Sequence, residues 1–470
     1  METGVVSPFP LFLSDRVTLN SKCKMSSVYQ QIDFDRNPQR QAPETLAVSA
    51  SGEEKPSLFL LGVATLTLFF TTQIMQLVPA LDGLPVAKVV VGLVVLLFVF
   101  SPHLLANRLR LRQIPQVKYL FGILAFAIVT VPFSFWRSGS LEFIIENFSK
   151  NVVFVYLLVQ GAKDNRAVRL ICGSLIFGCA LIVLAILTGF GPETNVFARE
   201  DRIMVAGTYD VNDLALLFVV AIPFAFFMLK SSSRMGRILL FIALALLLVG
   251  MIKTASRGGF LGLLVISGLL LARSSREVRK YTLLTILGGA ILFAVATPAA
   301  YWTRISTIFN LQRDYNLKEQ TGRLQIWQTG LQMIATRPLT GVGINCFPTA
   351  YAAFLNTKFT ISPHNSFVQI AAELGIPGLA LFLAIMILSL RTARTVRRRA
   401  RDGLLPDDLW WHASAVEVSW LGFIVSAAFL THAYSPIFCF LTGISASLYA
   451  RYKAADKPAE SVAEAEIRYV

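Results

Sequence analysis

The sequence predicts an all-α polytopic membrane protein, and three observations lead to that prediction. Of the 470 residues, 55% are hydrophobic and only 15% are charged. The apolar residues are gathered in repeated runs, several of which reach the roughly 17 to 22 residues that a helix needs to cross a bilayer. Because a bilayer offers no water to unpaired backbone groups, each run is expected to be helical. The positive charges, finally, lie mostly in the short segments between the runs.

About twelve apolar runs follow the first 55 residues. They lie at about 58–78, 86–101, 117–135, 141–160, 167–187, 214–229, 238–253, 260–272, 282–300, 376–390, 415–430 and 436–450. The fourth run is the weakest, because Glu142, Glu146 and Lys150 interrupt it. The seventh and eighth runs are separated only by a very tight polar turn. The prediction is therefore a protein with about twelve transmembrane helices.

The basic loops predict the orientation of these helices. Every second loop is rich in arginine and lysine, at 108–112, 163–169, 230–237, 273–280 and 391–401. Such loops face the cytoplasm in membrane proteins. Both termini are then cytoplasmic, and one large periplasmic loop, at about 301–375, separates spans 9 and 10. The net charge of +15 is thereby explained by the cytoplasmic loops, without a role in nucleic-acid binding. The basic run at 391–401 is expected to contact anionic lipids.

The chain divides into three parts on composition. Residues 1–55 are polar and of mixed charge, which predicts a disordered cytoplasmic tail rather than a signal peptide. Residues 56–452 form the transmembrane domain, and 453–470 form a second cytoplasmic tail. The five cysteines are scattered without a CxxC pair, so we interpret them as packing thiols. In the large loop, Leu324, Trp327, Leu331 and Ile334 recur with a helical period and predict an amphipathic helix at 321–336.

Two side chains in the predicted periplasmic segments are suited to chemistry. His364, after a proline, is a titratable imidazole at the edge of the bilayer and can take a proton from a hydroxyl. Arg257 lies in a Gly-rich turn between two spans, where its planar fork suits phosphate oxygens. Each also has a simpler interpretation. His364 can be an ordinary hydrogen-bonded loop histidine, and Arg257 can be an arginine that extends from a helix end to the membrane interface.

Several further polar residues are ambiguous from the sequence. Asn212 and the aspartates of the segment 207–213, before the sixth span, can cap a helix or bind sugar hydroxyls. Asn365 or Ser366 can cap the helix that follows His364. Glu373 can orient a partner, pair with an arginine, or serve in capping and packing. His432 lies in the last outer turn as a second polar group. We find no motif for a metal site, no dinucleotide fingerprint and no P-loop, so neither metal nor cofactor is expected.

Three segments, in this order, resemble one family. They are 254–262, with the sequence Thr-Ala-Ser-Arg-Gly-Gly-Phe-Leu-Gly; 321–327 together with 338–344; and Pro-His-Asn-Ser-Phe at 363–367 together with Glu-Leu-Gly-Ile-Pro-Gly at 373–378. In combination they resemble the O-antigen ligase and O-antigen polymerase superfamily of bacterial envelope glycosyltransferases. The resemblance is strongest over about 202–390, and the long polar N-terminal tail departs from it.

The resemblance implies a membrane glycosyltransferase of the GT-C type in the bacterial inner membrane, with its active site facing the periplasm. The donor would be a glycan on undecaprenyl diphosphate. A ligase would pass it to the lipid A core, and a polymerase to another lipid-linked repeat; the motifs do not separate the two. The family's ligases act without metal and with inversion at the sugar. Its essential histidine corresponds to His364, and its essential arginines to Arg257 and also Arg202 and Arg323.

Two other function classes stay open at this stage. A transporter or flippase would also be polytopic, but its unusual polar residues are expected near the membrane midplane, whereas here they gather on the outer side. A non-catalytic assembly scaffold would tolerate replacement of His364. The predicted substrate-binding residues under the transferase interpretation are Arg257, Arg202, Arg323, Asn212, Asn365 and Glu373.

Overall fold

The structure, a computed structural model, describes residues 56–73, 86–106, 108–110, 113–190, 210–274, 276–297, 299, 302 and 322–467. All regular structure in that part of the chain is helical. The predicted tail at 1–55, Arg202, and most of the first part of the large loop lie outside the described residues. The predictions made for them therefore stay predictions.

Sixteen α-helices are described. They are α1 (Leu58–Thr72), α2 (Val86–Val99), α3 (Pro102–Ala106), α4 (Pro115–Thr130), α5 (Arg137–Phe143), α6 (Ser149–Gly161), α7 (Asn165–Thr188), α8 (Val211–Met228), α9 (Arg234–Thr254), α10 (Arg257–Arg273), α11 (Arg276–Ala296), α12 (Arg323–Thr336), α13 (Phe347–Phe354), α14 (Ser366–Arg401), α15 (Asp407–Ala427) and α16 (Pro436–Ile467).

Several of these helices have the length and composition of membrane spans. Within the described residues five qualify outright: Pro115–Phe133, Asn165–Thr188, Val211–Ser231, Arg234–Thr254 and Ser366–Arg401. Shorter apolar helices occur at Leu58–Thr72, Lys88–Val99 and Thr282–Val295. The all-α, multi-pass character predicted from the sequence is thereby confirmed. The count of twelve and the placement of the termini remain predictions.

Helix α8 lies at the centre of the bundle, between α7, α9, α10 and α15. Its middle is buried on every side, as expected for a helix that is apolar all round. Glycines allow its neighbours to approach closely. A Cβ atom added at Gly422 of α15 would lie 2.7 Å from side-chain atoms of both Ile266 and Val219. Small residues at helix contacts are typical of membrane bundles, where close packing drives association.

The weak fourth run is interrupted in the structure as well. It is composed of α5, a π-helical turn at Ile144–Phe148, and α6. The turn includes Glu146, which forms ion pairs with Lys150 at 2.7 Å and with Lys88 at 2.9 Å. Two of the three charged residues that interrupt the apolar pattern, Glu146 and Lys150, therefore pair with each other on the surface.

The amphipathic helix predicted at 321–336 is present as α12, but its buried face was predicted only in part. Trp327 and Ile334 do pack against a small cluster formed with α13 and α14. The centre of that contact is Ile326 and Met333, both buried, whereas Leu324 and Leu331 are exposed. The correction follows from Gly330, whose missing side chain lets Val368 and Phe347 approach and turns that face inward.

Candidate functional site

Five segments meet at one end of the bundle and form the candidate site. They are the N-termini of α8, α10, α12 and α14, together with residues 428–435 between α15 and α16. Hydrogen bonds join them across the chain: Ser256 to Asn212, His364 to Thr431, and His432 to Asp213. Residues distant in sequence are thus held around His364 by the ends of different helices.

The backbone at His364 adopts a left-handed conformation, with φ of 46°. This conformation is uncommon for a residue with a side chain, and it is found at functional sites when the surroundings fix it. Here the His364 N–H donates to Thr431 Oγ1 at 3.0 Å. The preceding carbonyl, of Pro363, accepts from Trp327 Nε1 at 3.1 Å. These two hydrogen bonds therefore fix the backbone at His364, and with it the direction of the bond from Cα to Cβ.

Asn365, next to His364, is the N-cap of α14. Its Oδ1 accepts from the N–H groups of Phe367 and Val368, at 2.9 and 3.0 Å. The next residue, Ser366, is buried; its hydroxyl donates to Leu430 O at 2.7 Å and accepts from His432 N–H at 2.9 Å. The capping interpretation of this segment is confirmed for Asn365, while Ser366 joins α14 to the segment after α15.

The electrostatic surroundings of His364 keep its imidazole neutral. Partial burial lowers the pKa of His364 below its ordinary value, and the positive charge of Arg323 lowers it further. Asp210 and Asp213 act in the opposite direction but do not reverse the shift. At neutral pH the ring is therefore uncharged and has a lone pair that can accept a proton.

The acidic side of the site is formed by the start of α8. Asp210 is the N-cap, and its Oδ1 accepts from the N–H groups of Asn212 and Asp213. Asp213 Oδ2 accepts from Asp210 N–H in return, which completes a capping box. The other oxygen of Asp213 lies 2.8 Å from Nε2 of His432. Asp213 thus joins the helix start to the segment that also holds His364.

Asn212 and Arg257 lie on the other side of that helix start. Asn212 Nδ2 donates to Asp210 Oδ2 at 3.2 Å, and its Oδ1 accepts from Ser256 Oγ at 2.8 Å. Ser256 is the N-cap of α10, and Arg257 is the first residue of that helix. The bond between Ser256 and Asn212 therefore holds the base of Arg257 at the same end of the bundle as His364.

Arg323 begins α12, and its guanidinium stands over the ring of Phe429 at 5.9 Å from the centroid. Trp327, one turn later, also packs against Phe429, with ring centroids 6.4 Å apart. The Cβ atom that Gly258 lacks would lie 3.5 Å from Phe429 Cβ. Phe429 therefore separates the start of α12 from the start of α10, and both helices direct their positive N-terminal ends to this region.

Glu373 is buried in the wall behind the site. Its exposed fraction is 1%, and its Oε1 accepts from Phe347 N–H, at the start of α13, at 3.1 Å. Two residues later Gly375 interrupts α14 with φ of 65° and ψ of −171°. Its neighbour Ile376 donates to Pro338 O, and Gly343 donates to Glu373 O. Of the alternatives left open for Glu373, the geometry is that of capping and packing.

The structure brings most of the predicted residues together. His364, Arg323 and Asn212 belong to one set of contacts, Asn365 caps the adjacent helix, and Arg257 begins the adjoining one. Glu373 lies behind the wall, and Arg202 is outside the described residues. The sequence analysis considered Asp213 together with Asn212, and it missed Thr431 and Trp327 as parts of the site. The aspartates at 210 and 213 form a capping box, which agrees with the capping alternative for this segment; no sequence signal identifies Thr431.

Comparison with known protein families agrees with the resemblance drawn from the three motifs. Residues 242–383 match the family model described as O-antigen ligase. The matched interval begins within α9 and ends within α14, so it includes Arg257, Arg323, His364, Asn365 and Glu373. The resemblance to the O-antigen ligase and polymerase superfamily is thereby confirmed over this part of the chain. No curated protein matches the chain.

Proposed function

We propose that the protein, whose residues 242–383 match the O-antigen ligase family model, transfers a glycan from undecaprenyl diphosphate to an acceptor hydroxyl. One observation carries the proposal: a backbone-constrained histidine, whose pKa is lowered by burial and by the charge of Arg323, lies inside the matched interval. A proton acceptor and cations are the two requirements for moving a sugar from a diphosphate to a hydroxyl.

In the proposed reaction the acceptor oxygen attacks the anomeric carbon of the donor sugar. The bond between that carbon and the phosphate oxygen breaks, and the bonding electron pair leaves with undecaprenyl diphosphate. His364 takes the proton from the acceptor hydroxyl as the new bond forms. Arg257, Arg323 and Arg202 would balance the charge that develops on the diphosphate without a metal. A single displacement of this kind inverts the configuration at the sugar.

The remaining residues of the site have supporting roles in this proposal. Asn212 and Asn365 retain amide N–H groups that can contact sugar oxygens, although each also bonds to a helix start. Glu373 supports the wall by fixing α13 against α14. We further propose about twelve spans, cytoplasmic termini, and a periplasmic site in the bacterial inner membrane, on the basis of the alternating basic loops.

The acceptor distinguishes the two activities of the superfamily. We propose the ligase, with the lipid A core as acceptor, because the matched family model is described as O-antigen ligase. Deleting the gene and analysing the envelope glycans tests this directly. Bare lipid A core with polymer left on its carrier is the expected result. Single repeats in place of polymer would instead identify the polymerase, which extends one lipid-linked repeat with another.

Arg257 provides the test of the donor site. We expect Arg257→Ala to lower kcat/KM for the undecaprenyl-diphosphate donor by about 100-fold, the effect of losing one group that stabilises developing charge. Arg257→Lys should recover little, because an ammonium cannot form the two parallel bonds of a guanidinium. The measurement is transfer by purified protein at varied donor concentration.

The matched control for Arg257 is Lys253→Ala, which removes an exposed cation from the last turn of α9. It should leave donor kinetics unchanged. If Arg257→Ala and Lys253→Ala behaved alike, the proposed contact between Arg257 and the diphosphate would be wrong. Full recovery by Arg257→Lys would show that charge alone, and not the fork, is required.

A further inference from the structure

A second polar region lies at the opposite end of the bundle from His364. It is a cavity of about 880 Å³ whose lining includes Arg273, the last residue of α10, and Trp410, near the start of α15. The candidate site lies at the other ends of the same two helices, at Arg257 and just after α15. A helix of this length separates the two regions by about 25 Å. The cavity is therefore distinct from the site proposed for transfer.

The cavity is strongly positive. Its lining includes Lys230, Arg237, Arg273, Arg276, Arg279 and Arg397, and the acidic residue in the lining is Asp407. Glu417, buried beside it, binds Arg273 at 2.9 Å and Arg397 at 2.8 Å. Among the residues that the structure describes, no carboxylate pairs with Arg237, Arg276 or Arg279. An anion with several oxygens, such as a phosphate, matches this distribution of charge.

The same cavity has an apolar side that opens toward a lipid-facing surface. Phe226, Phe227 and Phe241 belong to its lining. Phe241 is itself 51% exposed, and its neighbours Ile238 and Ile242 on α9 are exposed as well. Such a continuous apolar face on a membrane helix is expected to contact acyl chains. A ligand in the cavity would thus have phosphate among arginines and hydrocarbon beside phenylalanines.

We propose that this cavity binds the phosphate headgroup of an anionic phospholipid, with its acyl chains lying along α9. The headgroup would contact arginines of α9 and α11 together, so it would join α11 to the bundle. The inference is independent of the proposed transfer reaction, since it concerns the other end of the helices and is measured as binding.

The test uses the full-length protein purified in detergent, with cardiolipin as the probe and phosphatidylethanolamine as the zwitterionic reference. Bound lipid is counted by native mass spectrometry, and thermal unfolding is followed at increasing cardiolipin concentration. We expect retained cardiolipin and a rise in Tm that phosphatidylethanolamine does not produce. The double variant Arg276→Gln with Arg279→Gln should weaken cardiolipin binding about tenfold or more, since each cation near a lipid surface contributes measurably.

The matched control is Arg108→Gln with Arg110→Gln, which removes two exposed arginines between α3 and α4 that do not line the cavity. It should bind cardiolipin as the wild type does. Equal loss in both double variants would mean general attraction to a basic surface and would overturn the proposal. So would competition by soluble pyrophosphate at comparable concentration, which would show that the acyl chains contribute nothing.

Discussion

The two ends of the bundle are both rich in charge, but they hold it in different ways. Around His364, carboxylates and guanidinium groups come from helix starts, and helix caps such as Asp210 determine their positions. At the other end, one buried carboxylate, Glu417, lies among Arg273, Arg394 and Arg397. The first arrangement keeps an imidazole neutral, and the second keeps several cations close together. The partners of a charge, more than its sign, distinguish a site for proton transfer from a site for anions.

Of the changes at the two ends of the bundle, removal of the His364 imidazole should have the largest effect on transfer. We expect His364→Ala to lower transfer by about 100- to 10,000-fold, the usual contribution of a general base. His364→Asn is the sharper variant, because asparagine tolerates the left-handed backbone but cannot act as the base. Transfer is measured per folded molecule after thermal unfolding confirms an unchanged Tm.

The control for this prediction is His103→Ala, since His103 is an exposed histidine on α3. Its transfer rate should equal that of the wild type. Activity of His364→Asn within a few-fold of the wild type would eliminate the proposed base and leave His364 with a structural role.

At the opposite end the largest effect should be on stability rather than on transfer. Glu417→Ala leaves three guanidinium groups near one another without their carboxylate, a change that costs about 3–5 kcal/mol in buried ion pairs. We expect a much lower Tm, with transfer per folded molecule retained. Glu142→Ala, which removes an exposed carboxylate on α5, should leave Tm nearly unchanged. A Glu417→Ala protein as stable as the wild type would show that Glu417 does not hold the basic end together.

The wall of the candidate site can be tested through Gly375. A Cβ atom there would lie 2.5 Å from Pro338 O, in a backbone conformation with φ of 65°. Gly403 has a similar φ of 75° but no atom within 4 Å of its missing Cβ. We expect Gly403→Ala to cost about 1–2 kcal/mol from backbone strain alone, and Gly375→Ala to cost more. Equal free energies of unfolding for the two variants would mean that the residues around Gly375 can move to accommodate the added Cβ atom.

The smallest expected effect is a shift in pH dependence. Because the folded pKa of His364 lies below its ordinary value, the neutral ring persists at neutral pH, and transfer should fall only as the pH drops through that lowered pKa. Arg323→Gln removes a cause of the lowering, so the acid limb of kcat should move to higher pH. An acid limb of kcat that does not move in Arg323→Gln would show that Arg323 does not affect the pKa of His364, even if the variant changes KM.

The sequence predicted the candidate site better than its supporting contacts. His364 and Arg257 were identifiable because a titratable ring and an arginine are unusual in predicted periplasmic turns. Thr431 and Trp327 were not, because a threonine and a tryptophan near a bilayer have many ordinary positions. The buried face of α12 was predicted in part for a similar reason. The period identifies where apolar residues recur, but the absence of a side chain at Gly330 decided which face turned inward.

By itself, the sequence determined that this is an all-helical, multi-pass membrane protein that resembles the O-antigen ligase superfamily. Apolar length and three ordered motifs were sufficient, since both are properties of local stretches of chain. Only the tertiary structure decided which helix ends meet, and with them the neutral state of His364, the linkage of α8 to α10, and the basic cavity. These depend on contacts between residues more than 40 positions apart, such as Ser256 with Asn212 and Glu417 with Arg273. Burial and the charges of such partners, which no local pattern encodes, determine what each ionisable group can do.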